Sequence, residues 1–251
     1  MGKIIIIGGG EMSRRETLRI DTEIVSLTGK RNPKALFIPT ASGESEEYVK
    51  SFHNIYGKKL GCTTDVLYLL KTKPSVKELQ RKVLSADLIY VGGGNTLKMM
   101  RRWRLLELDR VLKEAYYQGI VLSGISAGSI CWFESGHSDS MGFYHPAKWS
   151  YIRVRGIGLI KGTHCPHFNG RHKGKARSRY FLEFVQKHAL NGIALDDNCA
   201  IAFIDGKFRV ISARKNSKAY HLYSQGKQVI MKKIASSKAY RNISELHTGC
   251  L

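Results

Sequence analysis

The segment Gly124-Ile125-Ser126-Ala127-Gly128 follows the apolar run Ile120-Val121-Leu122 and reads G-x-S-x-G. A serine on a sharp turn between a buried strand and a helix presents its hydroxyl outward. The flanking glycines leave room for such a turn, and the first N–H groups of the helix face a developing oxyanion. Ser126 is therefore the first candidate nucleophile. A second glycine turn, Val91-Gly92-Gly93-Gly94-Asn95-Thr96, closes another strand-like run, with Gly94 32 residues before the serine. Neighbouring parallel strands end at one edge of a sheet, so the two turns can meet there and share oxyanion donors. Phosphate loops are a poorer match. The lysine–hydroxyl pair of a Walker motif is absent, and Gly8-Gly9-Gly10-Glu11-Met12-Ser13 lacks the third glycine of a dinucleotide fingerprint.

A serine nucleophile needs a base and an acid to orient it. The richest segment for a base is His164-Cys165-Pro166-His167-Phe168-Asn169, with two of the nine histidines. Its H-x-x-H with a cysteine could hold a metal, but no second ligand cluster of usual spacing accompanies it, and no metal or other cofactor is expected. For the acid, Glu134 and Asp139 follow the serine by 8 and 13 residues. Glu134 is expected on the helix that starts at Ala127, about 12 Å along the axis from the serine. Asp139 falls in the following loop, can fold back, and is preferred.

Around these residues, short apolar runs alternate with amphipathic ones. Lys3–Ile7, Ala35–Ile38, Asp65–Leu70, Asp87–Val91 and Ile120–Leu122 read as buried strands, and Glu16–Leu27, Glu46–Leu60, Ser75–Ser85 and Thr96–Gln118 as helices. Ser75 with Glu78 forms a capping-box pattern. The alternation predicts an α/β, three-layer αβα fold with a mostly parallel sheet. After about residue 195, short strands joined by Asp205-Gly206 and Gln225-Gly226 predict an antiparallel extension of the sheet. No linker or repeat divides residues 1–251, so a single domain is expected.

The balance of 41 Lys+Arg against 20 Asp+Glu gives a net charge of +21, which favours anionic partners. The basic residues are spread along the chain, without an arginine-rich tail or a basic–aromatic block. Five widely spaced cysteines without C-x-x-C fit free thiols in a reducing compartment. Four isoleucines before Gly8 are too few for a signal-peptide core, and no apolar run reaches membrane-span length. A soluble, cytoplasmic chain is expected.

Taken in order, several motifs resemble the aspartyl dipeptidase (peptidase E) family of serine peptidases, which includes the cyanophycinases. They are Ile6-Ile7-Gly8-Gly9-Gly10, Phe37-Ile38-Pro39-Thr40-Ala41-Ser42, the turns at Gly94 and Ser126, Cys131-Trp132-Phe133-Glu134, Ser138-Asp139-Ser140 and Cys165-Pro166-His167-Phe168. The resemblance implies a fold like that of class I glutamine amidotransferases. It also implies Ser126 as nucleophile, His167 as base, an oxyanion hole of the Gly94 and Ala127 N–H groups, and Asp139 as acid. Asn169 departs from the family pattern, where many relatives carry Asp. The implied substrate is a small acidic peptide, a dipeptide with an N-terminal α- or β-aspartyl residue, cleaved by a monomer or homodimer without membrane or nucleic-acid partners. Such a substrate needs a cation, and Arg171, Arg177 and Arg179 are the candidates. Two rival readings stay open. One is an α/β-hydrolase esterase, for which Asp205 with His221 or His247 would serve; the other is a non-enzymatic basic protein that binds nucleic acid.

Overall fold

The computed structural model describes residues 2–226 and 228–246. The first half of the chain runs β1 (Lys3–Ile7), α1 (Leu18–Ser26), β2 (Lys34–Ile38), α2 (Glu46–Phe52), β3 (Thr63–Val66), α3 (Val76–Leu84), β4 (Leu88–Val91), α4 (Thr96–Leu105), α5 (Leu108–Tyr117) and β5 (Val121–Ile125). The second half runs α6 (Ala127–Ile130), β6 (Phe133–Ser138), β7 (Ile152–Arg155), β8 (Ile160–Cys165), β9 (Arg171–His172), β10 (Lys175–Ala176), α7 (Arg177–His188), β11 (Asn191–Leu195), β12 (Cys199–Ile204), β13 (Lys207–Ser212), β14 (Ala219–Gln225), β15 (Gln228–Ile234) and β16 (Arg241–Asn242).

Eight strands form the first sheet in the order β16-β13-β12-β1-β5-β4-β2-β3. Strands β1 to β5 are parallel, and β12 closes antiparallel on β1. The four isoleucines of β1 are all buried because the strand lies inside this sheet with both faces covered. Ile4 and Ile6 pack with Met99 and Trp103 of α4, while Ile5 and Ile7 pack with Phe52 of α2 and Tyr56. A strand covered on both sides reads as a continuous apolar run, without alternation. Each such side chain contributes about 1.5–3 kcal/mol by leaving water.

A second sheet, of six strands, was not anticipated from the sequence. Its order is β15-β14-β11-β8-β6-β7, and β6, β8 and β11 are mutually parallel. Thus β12 and β13 finish the first sheet as expected, whereas the β14–β15 hairpin joins the second. The apolar cluster on the α3–α5 face of the first sheet continues into the second through Phe133, Ile193 and Leu195. Helix α7 covers the other face of the second sheet with Phe181 and Val185.

Helix boundaries differ where tertiary packing overrides local pattern. The capping box of α3 forms as expected, with the Glu78 N–H donating to Ser75 Oγ and the Ser75 N–H to Glu78 Oε2. The expected helix Thr96–Gln118 is broken at Glu107, whose φ is +57°. The break lets both halves bury an apolar stripe, Met99, Met100 and Trp103 in α4 and Leu108, Val111 and Leu112 in α5. Beyond Phe52 the helix widens into a π turn over His53–Lys59. Phe52 and Tyr56 stack there with ring centroids 4.5 Å apart.

One buried carboxyl ties α1 to this aromatic cluster. Asp21 accepts from Thr17 Oγ1 at 2.8 Å and from Tyr56 Oη at 2.9 Å. Burial pushes its pKa from 3.8 up to about 7, against the lowering effect of those two hydrogen bonds. The folded protein therefore holds this proton where the unfolded chain has released it. Stability declines as pH rises from the ordinary Asp range toward 7, by on the order of 4 kcal/mol at most. Asp21→Asn should raise the Tm by several degrees at pH 8 and change it little at pH 4.5, as measured by calorimetry. Equal shifts at both pH values would show that Asp21 is not the protonated group.

Candidate active site

Ser126 follows β5 directly and has φ 55° and ψ −112°, a conformation L-residues seldom adopt. The glycines around it are required by close approach. A Cβ on Gly124 would overlap the carbonyl of Gly128, and one on Gly128 would overlap that of Val91 at the end of β4. The β4 and β5 ends therefore meet as expected, with Val91 paired to Gly124. Gly93 and Gly94 line a cavity of about 510 Å³ together with Ser126 and His167.

Ser126 Oγ lies 2.9 Å from His167 Nε2, and His167 Nδ1 lies 2.5 Å from Asp197 Oδ1. A carboxylate can only accept, so Nδ1 carries the proton and Nε2 presents its lone pair to the serine hydroxyl. Burial pushes the Asp197 carboxyl up, but the hydrogen bond and charge of His167 and the charge of Arg177 outweigh it. The net pKa lies below the ordinary value, and the carboxylate stays ionised.

The second sheet supplies both partners of the serine. His167 comes two residues after β8 and Asp197 two after β11, and these parallel strands end at the same edge. All three segments then hang from the end of β1. Ile7 O accepts from Ser126 N at 3.0 Å, Gly8 O from His167 N at 3.0 Å, and Gly9 O from Asn198 N at 2.8 Å. Asn169 Oδ1 accepts from Asp197 N at 3.0 Å. The residue that departs from the family pattern thus fastens the backbone of Asp197, a task that needs only an acceptor oxygen.

Asp139, expected as the acid, does not touch His167. Its Oδ2 lies 3.6 Å from Arg177 Nη1, beside a 3₁₀ turn over Ser140–Phe143. The physical reason is the length of α6. It is a single turn, after which Trp132 and Phe133 enter the core and β6 carries the chain away to Ser138. Glu134 accordingly lies on a strand instead of the expected helix, and its Oε2 accepts from Gly162 N at 2.8 Å. Asp197 is the site residue that the sequence reading does not single out. The usable signal was an acid immediately after the buried strand Gly192-Ile193-Ala194-Leu195.

The three arginines expected to hold an acidic side chain lie outside this cavity. Arg171 is exposed and donates to Gly174 O within its own hairpin. Arg177 is buried, donates to His137 O at 2.8 Å and lies over the Tyr151 ring. Arg179 is exposed on α7. Among the described residues the charged ones in the lining are Glu11 and Glu47, and none is a lysine or arginine. Arg15, Lys58 and Lys59 line a neighbouring cavity of about 400 Å³ that shares Ser13 and Ser51 with the first.

His164, the alternative base, is fully buried and bonds to Ser129 instead of Ser126. His221 lies 2.6 Å from Asn191 Oδ1, and His247 lies outside the described residues. Cys62, Cys131, Cys165 and Cys199 are free, buried thiols, and among the described residues no helix is long and apolar enough to cross a membrane.

The sequence matches the model of peptidase family S51 over residues 4–211. The chain belongs to peptidase family S51. It is 37% identical over 224 residues to "Uncharacterized peptidase YgaJ" of Bacillus subtilis, covering 88% of this chain and 92% of that one. It is 25% identical to "Probable alpha-aspartyl dipeptidase" of Drosophila melanogaster, covering 74% and 75%. In fold, this S51 peptidase is similar to a peptidase from an acI-B1 Actinobacterium, with a TM-score of 0.70 and 19% identity over 96% of this chain and 97% of that chain. A putative peptidase E protein from Listeria monocytogenes gives a TM-score of 0.60 at 18% identity, over 94% and 100%.

Two substitutions separate the candidate acids. Asp197→Asn should keep the fold and lower peptide turnover by about 10³- to 10⁴-fold, as loss of an orienting carboxylate does elsewhere. Asp139→Asn should change it only a few-fold. Steady-state kinetics on the two folded variants decides, and the reverse ranking would return the role to Asp139.

Proposed function

We propose that this S51 peptidase cleaves short peptides through an acyl-enzyme, with Ser126 as nucleophile, His167 as base and Asp197 as the orienting acid. The observation that carries this reading is the continuous Ser126–His167–Asp197 hydrogen-bonded chain at the wall of an open cavity. His167 Nε2 accepts the serine proton as Oγ attacks the carbonyl carbon. The imidazolium so formed is stabilised by the ionised Asp197 and then protonates the leaving amine. Water, deprotonated by the same nitrogen, hydrolyses the ester. The Gly94 and Ala127 N–H groups are the proposed donors to the oxyanion. They belong to the two turns that meet at Ser126, and Ala127 is the first residue of α6.

The aspartyl reading draws support from the name of the Drosophila relative. The cavity charge argues for a wider range. Glu11 and Glu47 favour an unblocked peptide amine, and among the described residues no lysine or arginine of the lining offers the fork that a stringent aspartyl requirement needs. We therefore place aspartyl dipeptides within a broader set of short, free-amine peptides.

A dipeptide panel with Asp, β-Asp, Glu, Asn and neutral N-terminal residues tests both statements. Ser126→Ala should lower hydrolysis by about 10⁴-fold or more on every cleaved substrate. The kcat/KM for Asp-Xaa should lie within about tenfold of that for neutral residues, equivalent to about 1.4 kcal/mol. Wild-type rates in the alanine variant would refute the mechanism. A strict demand for aspartate would refute the broader specificity and leave the mechanism standing.

A further inference from the structure

The catalytic reading leaves several buried, chemically capable side chains unused, and His164 is the histidine among them closest in sequence to His167. His164 lies in β8, three residues before His167, with its ring stacked on Phe133 at 4.8 Å between centroids and 10° between planes. Its Nδ1 is 2.8 Å from Ile193 O in β11. A carbonyl can only accept, so Nδ1 bears the proton and donates. Burial pushes the pKa down to about 3, with the charges of Arg177 and His167 acting in the same direction against the Ile193 hydrogen bond. The ring is therefore neutral, and Nε2 must accept.

Nε2 lies 2.9 Å from Ser129 Oγ. That hydroxyl is also 2.7 Å from Ser126 O, so its single proton faces two acceptors. Ser126 O already accepts from Ser129 N at 3.0 Å and from Ile130 N at 3.1 Å. His164 Nε2 has no other donor among the described residues, so the Ser129 proton satisfies it at least cost.

Resting on the serine-peptidase reading above, we infer that His164 is a positioning residue. Its ring ties together the three segments that carry the nucleophile, the base and the acid. Through Ser129 it holds the single turn of α6, whose start is Ser126 and the Ala127 N–H. Through Ile193 it holds β11, four residues before Asp197. Its own strand leads into His167. The end of β1 joins the same three segments by backbone bonds, so His164 is a side-chain clamp in addition to that backbone one. Loss of the clamp leaves the catalytic groups present but poorly registered, and misplacement of about 1 Å at such a site can cost on the order of 100-fold.

The test uses a fluorophosphonate probe, which reacts with an activated serine whatever the natural peptide. Wild type, Ser126→Ala, Ser129→Ala, His164→Leu and His164→Gln are compared as folded proteins, with Tm measured for each. Ser129→Ala should keep its Tm within a few degrees of wild type and label about tenfold or more slowly. Peptide kinetics should show the loss in kcat with KM little changed. His164→Gln, whose amide oxygen can accept from Ser129, should recover much of the rate that His164→Leu loses. Because the ring is neutral throughout, the loss should be the same at every pH from 6 to 9. Wild-type labelling by folded Ser129→Ala would overturn the inference, and that variant carries the test if His164→Leu fails to fold. A wild type that is not labelled at Ser126 would instead overturn the serine-peptidase reading.

Discussion

The end of β1 is the constraint on which the site depends. Three consecutive carbonyls, from Ile7, Gly8 and Gly9, accept the N–H groups of Ser126, His167 and Asn198. These residues lie in turns that follow three different strands, and each has a positive φ, of 55°, 50° and 62° respectively. Such conformations cost on the order of 1–3 kcal/mol for residues other than glycine. They persist because surrounding hydrogen bonds and packing over-determine them. The buried isoleucines of β1 fix the strand, and the strand end in turn fixes the turns.

Division of labour between the two sheets follows from this. The first sheet supplies Ser126 and its glycine turns, and the second supplies His167 and Asp197 from adjacent parallel strands. Neither sheet alone holds all three side chains. Gly9 lies where they meet, and a Cβ there would overlap both Asp197 Oδ1 and the His167 ring. The glycine run that opens the chain therefore makes room for a histidine–carboxylate pair contributed by residues more than 150 positions later.

What could be read from the sequence was whatever local chemistry decides. The strand IIII, the elbow around Ser126, the capping box at Ser75 and the histidine after Cys165-Pro166 each declare themselves within a few residues. The acid does not. Asp139 and Asp197 are both loop aspartates, and the choice between them depends on how far α6 runs and on which sheet β6 joins. Both are matters of tertiary packing, settled by Trp132 and Phe133 turning into the core. The second sheet escaped notice for the same reason, since its strands are interrupted by a hairpin and a helix. Cavity charge is less legible still. Arg171, Arg177 and Arg179 follow the histidine closely in sequence, yet the hairpin and α7 carry them outside the cavity.

The most direct test of the account is Gly9→Ala, read by the rate at which a fluorophosphonate labels Ser126 in protein shown to be folded by circular dichroism. The added methyl group must displace the Asp197 carboxylate or the His167 ring, and its nearest contacts do not include Ser126 or Ala127. The account predicts native secondary structure with labelling slowed by about 100-fold or more. A folded Gly9→Ala protein that labels at the wild-type rate would show that the site is not assembled on the end of β1.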